Sequence, residues 1–371
     1  MELKKNFRGI RRGVGSYFQG LDLPLFAATV LICLISVLNM YGIGGIGNPN
    51  VLRQTVFVGI GIILMTGLSF SNYRYLKNYS PPVLLLYGIG VLLLLITLAG
   101  EPIRGSRAWI SVSGFTFEPA EVMKLVLIIV MAKYFSQRHI HINQFRHVIV
   151  SGLYLLVPLS IILLQPDLGS AFTLLIVWGG ILIASGINKR HLFLLLSIGV
   201  VIAYLSWIFV LKPYQKERLS AFVNPYRDPT GIGYNIIQSK IAIGSGSWFG
   251  NGLGEGSQTT LGFLPEPYND FVFASFAEQF GMVGILALIG ILYTILSRIL
   301  YIGERSDNNF AKLFCIGLVF FILTHVVVSA SVNIGLMPIT GIPFPFLSLG
   351  GSHLLTLMIG LGIVQGIKRY G

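Results

Sequence analysis

Apolar residues in this chain come in long runs rather than in a two-residue alternation. Stretches near 22–43, 52–71, 82–99, 119–136, 148–164, 169–187, 192–211, 270–300, 311–333 and 352–367 are dominated by Leu, Ile, Val, Phe, Ala and Gly. A helix rises about 1.5 Å per residue, so roughly twenty such residues cover a hydrocarbon core of about 30 Å. Inside lipid a backbone must satisfy its own polar groups, as a helix or a closed barrel, and the alternation of barrel strands is absent. The pattern predicts an all-α polytopic membrane protein with about ten transmembrane helices. It forms one integral membrane domain over 1–371, with a single long connection, 212–269, before the eighth span. The first run is too long for a signal-peptide core and lacks a small-residue cleavage site, so it is expected to stay uncleaved.

Composition agrees with the pattern: the chain is 54% hydrophobic and 11% charged, against roughly a quarter charged in an average soluble domain. The net charge of +12 looks at first like a nucleic-acid signal. Its distribution says otherwise, because 17 of the 26 Lys and Arg residues fall on one side of a ten-span chain, from Lys4 and Arg12 to Lys368 and Arg369. The positive-inside rule assigns that side, with both termini, to the cytoplasm and the 212–269 loop to the outside. No soluble basic face with interleaved aromatics is present, so nucleic acid is excluded as a partner. Cys33 and Cys315 fall within spans and read as small packing residues.

Polar groups that break the apolar runs carry the chemistry. "LPEPYNDFVFASFAEQFG" places Glu266, Asp270 and Glu278 around the start of the eighth span, where an uncompensated carboxylate is costly. On a helix, Glu278 would lie roughly 12 Å deeper than Asp270, which makes it an internal structural partner for a cation. Glu266 and Asp270 stay at the rim. "FEPAEVMK" puts Glu121 and Lys124 at i, i+3 on one face of the fourth span; they either neutralise each other or serve a site. "QPDLGS" sets Gln165 and Asp167 near the outer surface, with Asp167 also suited to cap a helix. His325 and Asn333 are expected to make packing hydrogen bonds.

Eight basic residues lie on the outer side: Arg53, Arg104, Arg107, Lys212, Lys216, Arg218, Arg227 and Lys240. The loop that holds five of them has a central stretch, Tyr234 to Ile243, apolar enough to form a short interfacial helix. Its glycines at 244, 246, 250, 252, 254 and 256 form either a flexible or tightly turned surface loop, or a backbone cradle for an anionic headgroup. "NIGLMPITGIPFPFLSLGGSH" precedes the last span. Such broken backbone is tolerated at membrane depth only when buried or lining a wet cavity, so it is expected to border the same outer cavity as the carboxylates. Metal-ligand His/Cys spacing and a G-x-S-x-G elbow are both missing.

A rim carboxylate with cations and lateral access suits a phosphate-bearing lipid. A transferase acting on a lipid pyrophosphate sugar needs one base for the attacking hydroxyl, and cations or a divalent metal for a leaving group that is already a good anion.

"PYQKERLSAF", "DPTGIGYNIIQSKIAIGSG", "LPEPYNDFVFASFAEQFG", "QPDLGS" and "PITGIPFPFLSLGG" together resemble the SEDS proteins (shape, elongation, division and sporulation) over nearly the whole chain. The short termini and "IIQSKIAIGSG" look more like the RodA branch than the FtsW branch. The resemblance implies a peptidoglycan glycosyltransferase of the bacterial cytoplasmic membrane that polymerises lipid II at the outer face. Implied partners are a class B penicillin-binding protein, other wall-elongation or division proteins and membrane lipids. Asp270 corresponds to the essential acid, acting as base or holding a divalent metal, Mg²⁺ or Mn²⁺. Glu121, Lys124, Arg107, Gln165, Asp167, Lys216, Arg218, Lys240 and Glu266 are the expected substrate contacts, and Glu278, Pro343, Gly350 and Gly351 the structural positions. The implied step is inverting attack of a GlcNAc 4-hydroxyl on the donor's MurNAc carbon, with loss of undecaprenyl pyrophosphate. Ala120, Asn269 and His353 depart from the usual pattern, His353 standing where Ser or Thr is typical. A lipid II flippase and an inactive scaffold for a penicillin-binding protein are the alternatives.

Overall fold

A computed structural model of the chain describes residues 20–45, 47–102, 106–112, 115–137, 145–209 and 231–371, together with 216 and 222. Ten helices of 17 residues or more occur among the described residues, one in each of the ten apolar stretches. They are α1 (Leu23–Gly44), α2 (Pro49–Ser69), α4 (Ser80–Leu98), α5 (Pro119–Ser136), α6 (Phe145–Leu164), α7 (Leu168–Ala184), α8 (Lys189–Phe209), α11 (Val272–Glu304), α12 (Asn309–Asn333) and α13 (Gly351–Tyr370). Short helices α3 (Arg74–Asn78), α9 (Ile232–Ser245) and α10 (Ser257–Thr260) lie between them. Six of the ten, α1, α2, α4, α6, α11 and α12, are long and apolar enough by themselves to cross a membrane.

Helix starts follow local rules. Asp22, Asn48, Asp167 and Asn308 accept N–H bonds from the first turns of α1, α2, α7 and α12, and prolines open α1, α2, α4 and α5. Helix α5 is buried on nearly every side, as a helix apolar all round should be. It packs on α4, α7 and α12, while α13 packs along α2 through small residues. Gly61 of α2 faces Met358, and Gly362 faces the backbone of Met65; absent side chains let the two helices close up. Leu52, Ile63, Leu85 and Leu92 point outward, as an apolar solvent permits.

Two local features were not predicted. The connection before α5 contains an antiparallel hairpin, β1 (Ile110–Val112) with β2 (Phe115–Phe117), in register Ile110↔Phe117. The fold is therefore almost, not wholly, helical. Helix α11 is broken at Gly281, which sits at φ 63° and ψ −164°. There the glycine-rich loop replaces the helix's own ladder: Met282 and Val283 N–H donate to the carbonyls of Ser247 and Trp248, each at 3.0 Å, and Asn251 N–H donates to Glu278 O at 2.9 Å. A Cβ at Gly246, Gly250 or Gly281 would collide with backbone across this junction. Gly246 and Gly250 thus serve close packing of loop on helix, and positive φ at Gly250, Gly252 and Gly254 makes the loop tightly turned.

The stretch expected as an interfacial helix lies within α9. Its buried positions Gly233, Ile236, Ser239 and Ala242 recur every three residues and face α11 and α12, with Ser239 Oγ donating to Asn333 O at 2.7 Å. Cys33 and Cys315 are both buried and free.

Candidate active site

The loop before α11, the hairpin and the broken segment before α13 enclose a cavity of about 490 Å³. Asp270, Glu266 and Glu118 line it, with Arg53, Asn50, Trp109 and Tyr268. Pro343, Ser348, Gly350, Gly351 and His353 complete the wall, so the proline-broken segment does border the cavity that holds the carboxylates.

Side-chain-to-backbone bonds set this wall. Asn333 Nδ2 donates to Asp270 O at 2.8 Å, while its Oδ1 accepts from Ala274 N–H at 2.9 Å, fixing the entry to α11. Leu349 N–H donates to Tyr268 O at 2.8 Å, and Ser348 Oγ to Asn269 O at 2.9 Å. Glu118 N–H donates to Ser352 Oγ at 2.9 Å, tying the hairpin to α13. Glu266 accepts from Asn269 Nδ2 at 2.9 Å and holds a φ of 45°, a conformation non-glycine residues rarely adopt. Gly351 needs to be glycine, since a Cβ would enter the Phe57 ring.

Directly behind His353 lies a buried polar cluster. Lys124 Nζ donates to Glu121 Oε1 at 2.7 Å and sits 3.4 Å from His325 Nε2. His353 Nδ1 lies 2.8 Å from Glu121 Oε2, and His325 Nδ1 lies 3.1 Å from Pro343 O. The two imidazoles stack with centroids 4.4 Å apart, and the Phe321 ring closes the side under Lys124. The partners set the tautomers. His325 donates from Nδ1 to the carbonyl and accepts the ammonium at Nε2; His353 donates from Nδ1 to the carboxylate. Glu121 thus meets His353 as well as Lys124, and His325 makes the packing hydrogen bond expected of it, to Pro343 O, while also lying against Lys124.

Among the described residues one group brings metal-ligand atoms together: Glu121, His325 and His353 offer one donor atom each within 4.8 Å of one another. Lys124 already shares that space as a cation and takes the Glu121 and His325 lone pairs an ion would use. Asp270, Glu266 and Glu118 line one cavity, and carboxylate oxygens suit Mg²⁺ and Mn²⁺, but these three do not gather donor atoms within that reach.

Glu118 is the carboxylate that sequence reasoning passed over, although it stands inside "FEPAEVMK" just before Pro119. Burial holds its carboxyl well above the usual range, and the Glu121 and Asp167 charges add to that; Lys124 and a hydrogen bond from Trp109 oppose it.

The other expected residues are placed differently. Glu278 is fully buried but is not paired with a cation. It accepts Gln258 N–H at 2.8 Å, Thr259 N–H at 3.0 Å and the Thr259 hydroxyl, capping α10. Gln165 does not line the cavity; its Nε2 donates to Leu94 O at 2.9 Å and Thr97 Oγ1 at 2.6 Å, clamping α6 to α4. Asp167 caps α7 through Ser170 N–H at 3.0 Å. Arg107 reaches Leu98 O at 3.3 Å, Lys216 rests over Trp207, and the Lys240 stem lies against Gly335. None of these three lines the cavity, and Arg218 lies outside the described residues. Among the described residues, Arg53 is the Lys or Arg side chain of the wall.

Known proteins resemble the chain over nearly its full length. It is 32% identical over 356 residues to a probable peptidoglycan glycosyltransferase FtsW of Trichlorobacter lovleyi, covering 94% of this chain and 93% of that protein. It is 30% identical over 351 residues to the peptidoglycan glycosyltransferase MrdB of Escherichia coli, covering 94% of both. A chain of a solved peptidoglycan synthase complex, concerned with structural coordination of polymerization and crosslinking, superposes with a TM-score of 0.79 at 29% identity, over 94% of this chain and 98% of that one. Identities of 32% and 30% do not separate a RodA-like from an FtsW-like branch. A family model for FtsW, RodA and SpoVE, described as cell cycle protein, matches residues 18–371, and the chain belongs to that family, the SEDS proteins its motifs resemble.

Proposed function

We propose that this chain is a peptidoglycan glycosyltransferase, a multi-pass protein of the bacterial inner membrane with ten spans and both termini in the cytoplasm. It joins lipid II units into glycan at the outer face. The observation that carries this reading is the cavity in which Asp270, Glu266, Glu118 and Arg53 meet, in a chain matched along its length by named peptidoglycan glycosyltransferases.

Asp270 precedes the first turn of α11, and Asn333 holds its backbone from behind. Its carboxylate takes the proton of the acceptor's 4-hydroxyl as that oxygen bonds to the donor's anomeric carbon. The bond from that carbon to the pyrophosphate oxygen breaks with inversion, and the lipid pyrophosphate leaves with the electron pair. Arg53 binds the anionic donor, and Glu266 orients the saccharide at the rim. Asp270 would hold Mg²⁺ or Mn²⁺, which when bound would neutralise pyrophosphate charge. A class B penicillin-binding protein is the expected partner, in line with the synthase complex that this fold resembles.

Purified protein, alone and with its partner, is given labelled lipid II and Mg²⁺ or Mn²⁺. Polymer is expected from the wild type and none from Asp270→Ala at an unchanged melting temperature; translocation without polymer overturns the reading. Chelation is expected to stop turnover, and full activity in chelator removes the metal from the scheme.

A further inference from the structure

The buried cluster leaves one atom unaccounted for. His353 is 4% exposed, and its Nδ1 is committed to Glu121 Oε2 at 2.8 Å. Its Nε2 is shielded from solvent and has no hydrogen-bond partner. A buried polar atom left unpaired is costly, so folds keep one only where something else satisfies it. The ring bearing it forms part of the cavity wall.

The surroundings fix which bond Nε2 can make. With Nδ1 directed at the Glu121 carboxylate, the neutral ring is the Nδ1–H tautomer, whose Nε2 carries a lone pair and accepts. Stacking on His325, itself anchored to Pro343 O at 3.1 Å, keeps the ring from turning. Lys124 sits on the other side of Glu121 and His325, so no ammonium hydrogen is directed to Nε2. The site has the form of a carboxylate-oriented imidazole on a residue that lines the same cavity as Asp270, Glu266 and Glu118.

We propose that His353 Nε2 is a specificity-determining acceptor for a hydroxyl or amide N–H donor on the saccharide, with Glu121 as the positioning residue that fixes its tautomer. The site selects a neutral hydrogen-bond donor and disfavours a phosphate oxygen, which would meet the lone pair head-on. It thereby orients the sugar end of the ligand toward His353 and leaves the pyrophosphate for Arg53. Only the identity of the ligand rests on the glycosyl-transfer reading.

The test uses full-length protein in nanodiscs, labelled with ¹⁵N-histidine, the His353 signals being assigned by their loss in His353→Gln. Expected are a protonated Nδ1, an unprotonated Nε2, and a shift of Nε2 on titration with short-chain lipid II in the Asp270→Asn background. An Nε2–H tautomer, or an Nε2 unmoved at concentrations that the wild type polymerises, overturns the proposal. Kinetics give a second arm. His353→Phe keeps a ring against His325 but removes both nitrogens, and is expected to raise KM roughly three- to tenfold, one lost hydrogen bond, with kcat nearly unchanged. His353→Gln, whose amide oxygen reaches toward the Nε2 position, recovers part of that loss. A wild-type KM in His353→Phe overturns the proposal, and if that variant fails to fold the titration decides alone. Absence of polymerisation by the wild type instead sinks the glycosyltransferase reading, and the titration still decides the acceptor.

Discussion

Glu121 and Glu278 are both carboxylates inside the bundle, each at most 1% exposed, yet the fold treats them in opposite ways. Glu278 is met by neutral donors alone, two backbone N–H groups and a hydroxyl at the start of α10. Glu121 is met by a buried ammonium and an imidazole that also faces the cavity. Neutral donors form a closed site: Oε1 accepts one bond and Oε2 two, all from Gln258 and Thr259. A carboxylate shared between a cation and a cavity-lining ring stays coupled to whatever enters. The difference separates a carboxylate that caps a helix from one bonded to a residue of the cavity wall.

Removing the cation should break the comparison most severely. Lys124→Met leaves the Glu121 charge buried and is expected to cost about 3–5 kcal/mol of stability, read by denaturant unfolding in detergent, with polymerisation abolished. The double variant Glu121→Leu, Lys124→Met should recover most of that stability and none of the activity. Recovery of activity would reduce the pair to a packing device.

Next in size is Gly281→Ala. The backbone there is glycine-only and the new Cβ meets the glycine loop, so a loss of about 3 kcal/mol is expected from strain and clash together. Glu278→Gln follows at about 1–3 kcal/mol, because an amide NH₂ replaces an acceptor facing N–H donors. It should leave the KM for lipid II alone, unlike any change at His353. A changed KM would erase the distinction between the two carboxylates.

The smallest effect is a slope with pH. Burial raises the Glu118 carboxyl well above its ordinary value in the folded protein, so the folded state binds more protons than the unfolded state between the two pKa values. Stability therefore falls as pH rises through that window. Glu118→Gln should flatten the fall in melting temperature from pH 4.5 upward, a starting point of about the ordinary Glu value; an unchanged slope would place its cause elsewhere.

The helices were legible because lipid demands long apolar runs, and the run from 270 to 300 marks α11 to within a few residues. Its break was not, since Gly281 in an apolar run looks like any small residue at a helix contact; the cause lies 34 positions away at Ser247. Asp270 could be singled out by its place at a span start and by family motif. Its neighbours Glu118 and His353 come from a hairpin and a different helix, brought together by long-range bonds such as Glu118 N–H to Ser352 Oγ. Outer cations invited assignment to the substrate because charge is visible in sequence and direction is not. Lys240 and Arg107 carry the right charge and point elsewhere.

The junction at Gly281 also orders the birth of the protein. Ser247 and Trp248 are synthesised 35 residues ahead of Met282 and Val283, whose N–H groups they later receive. Until α11 follows them out of the ribosome, the glycine loop has no partner for those carbonyls, and the helix beyond Gly281 cannot close its own first turn without the loop. Neither piece is finished when it is made. This face of the molecule is completed retroactively, by a later helix arriving at an earlier loop.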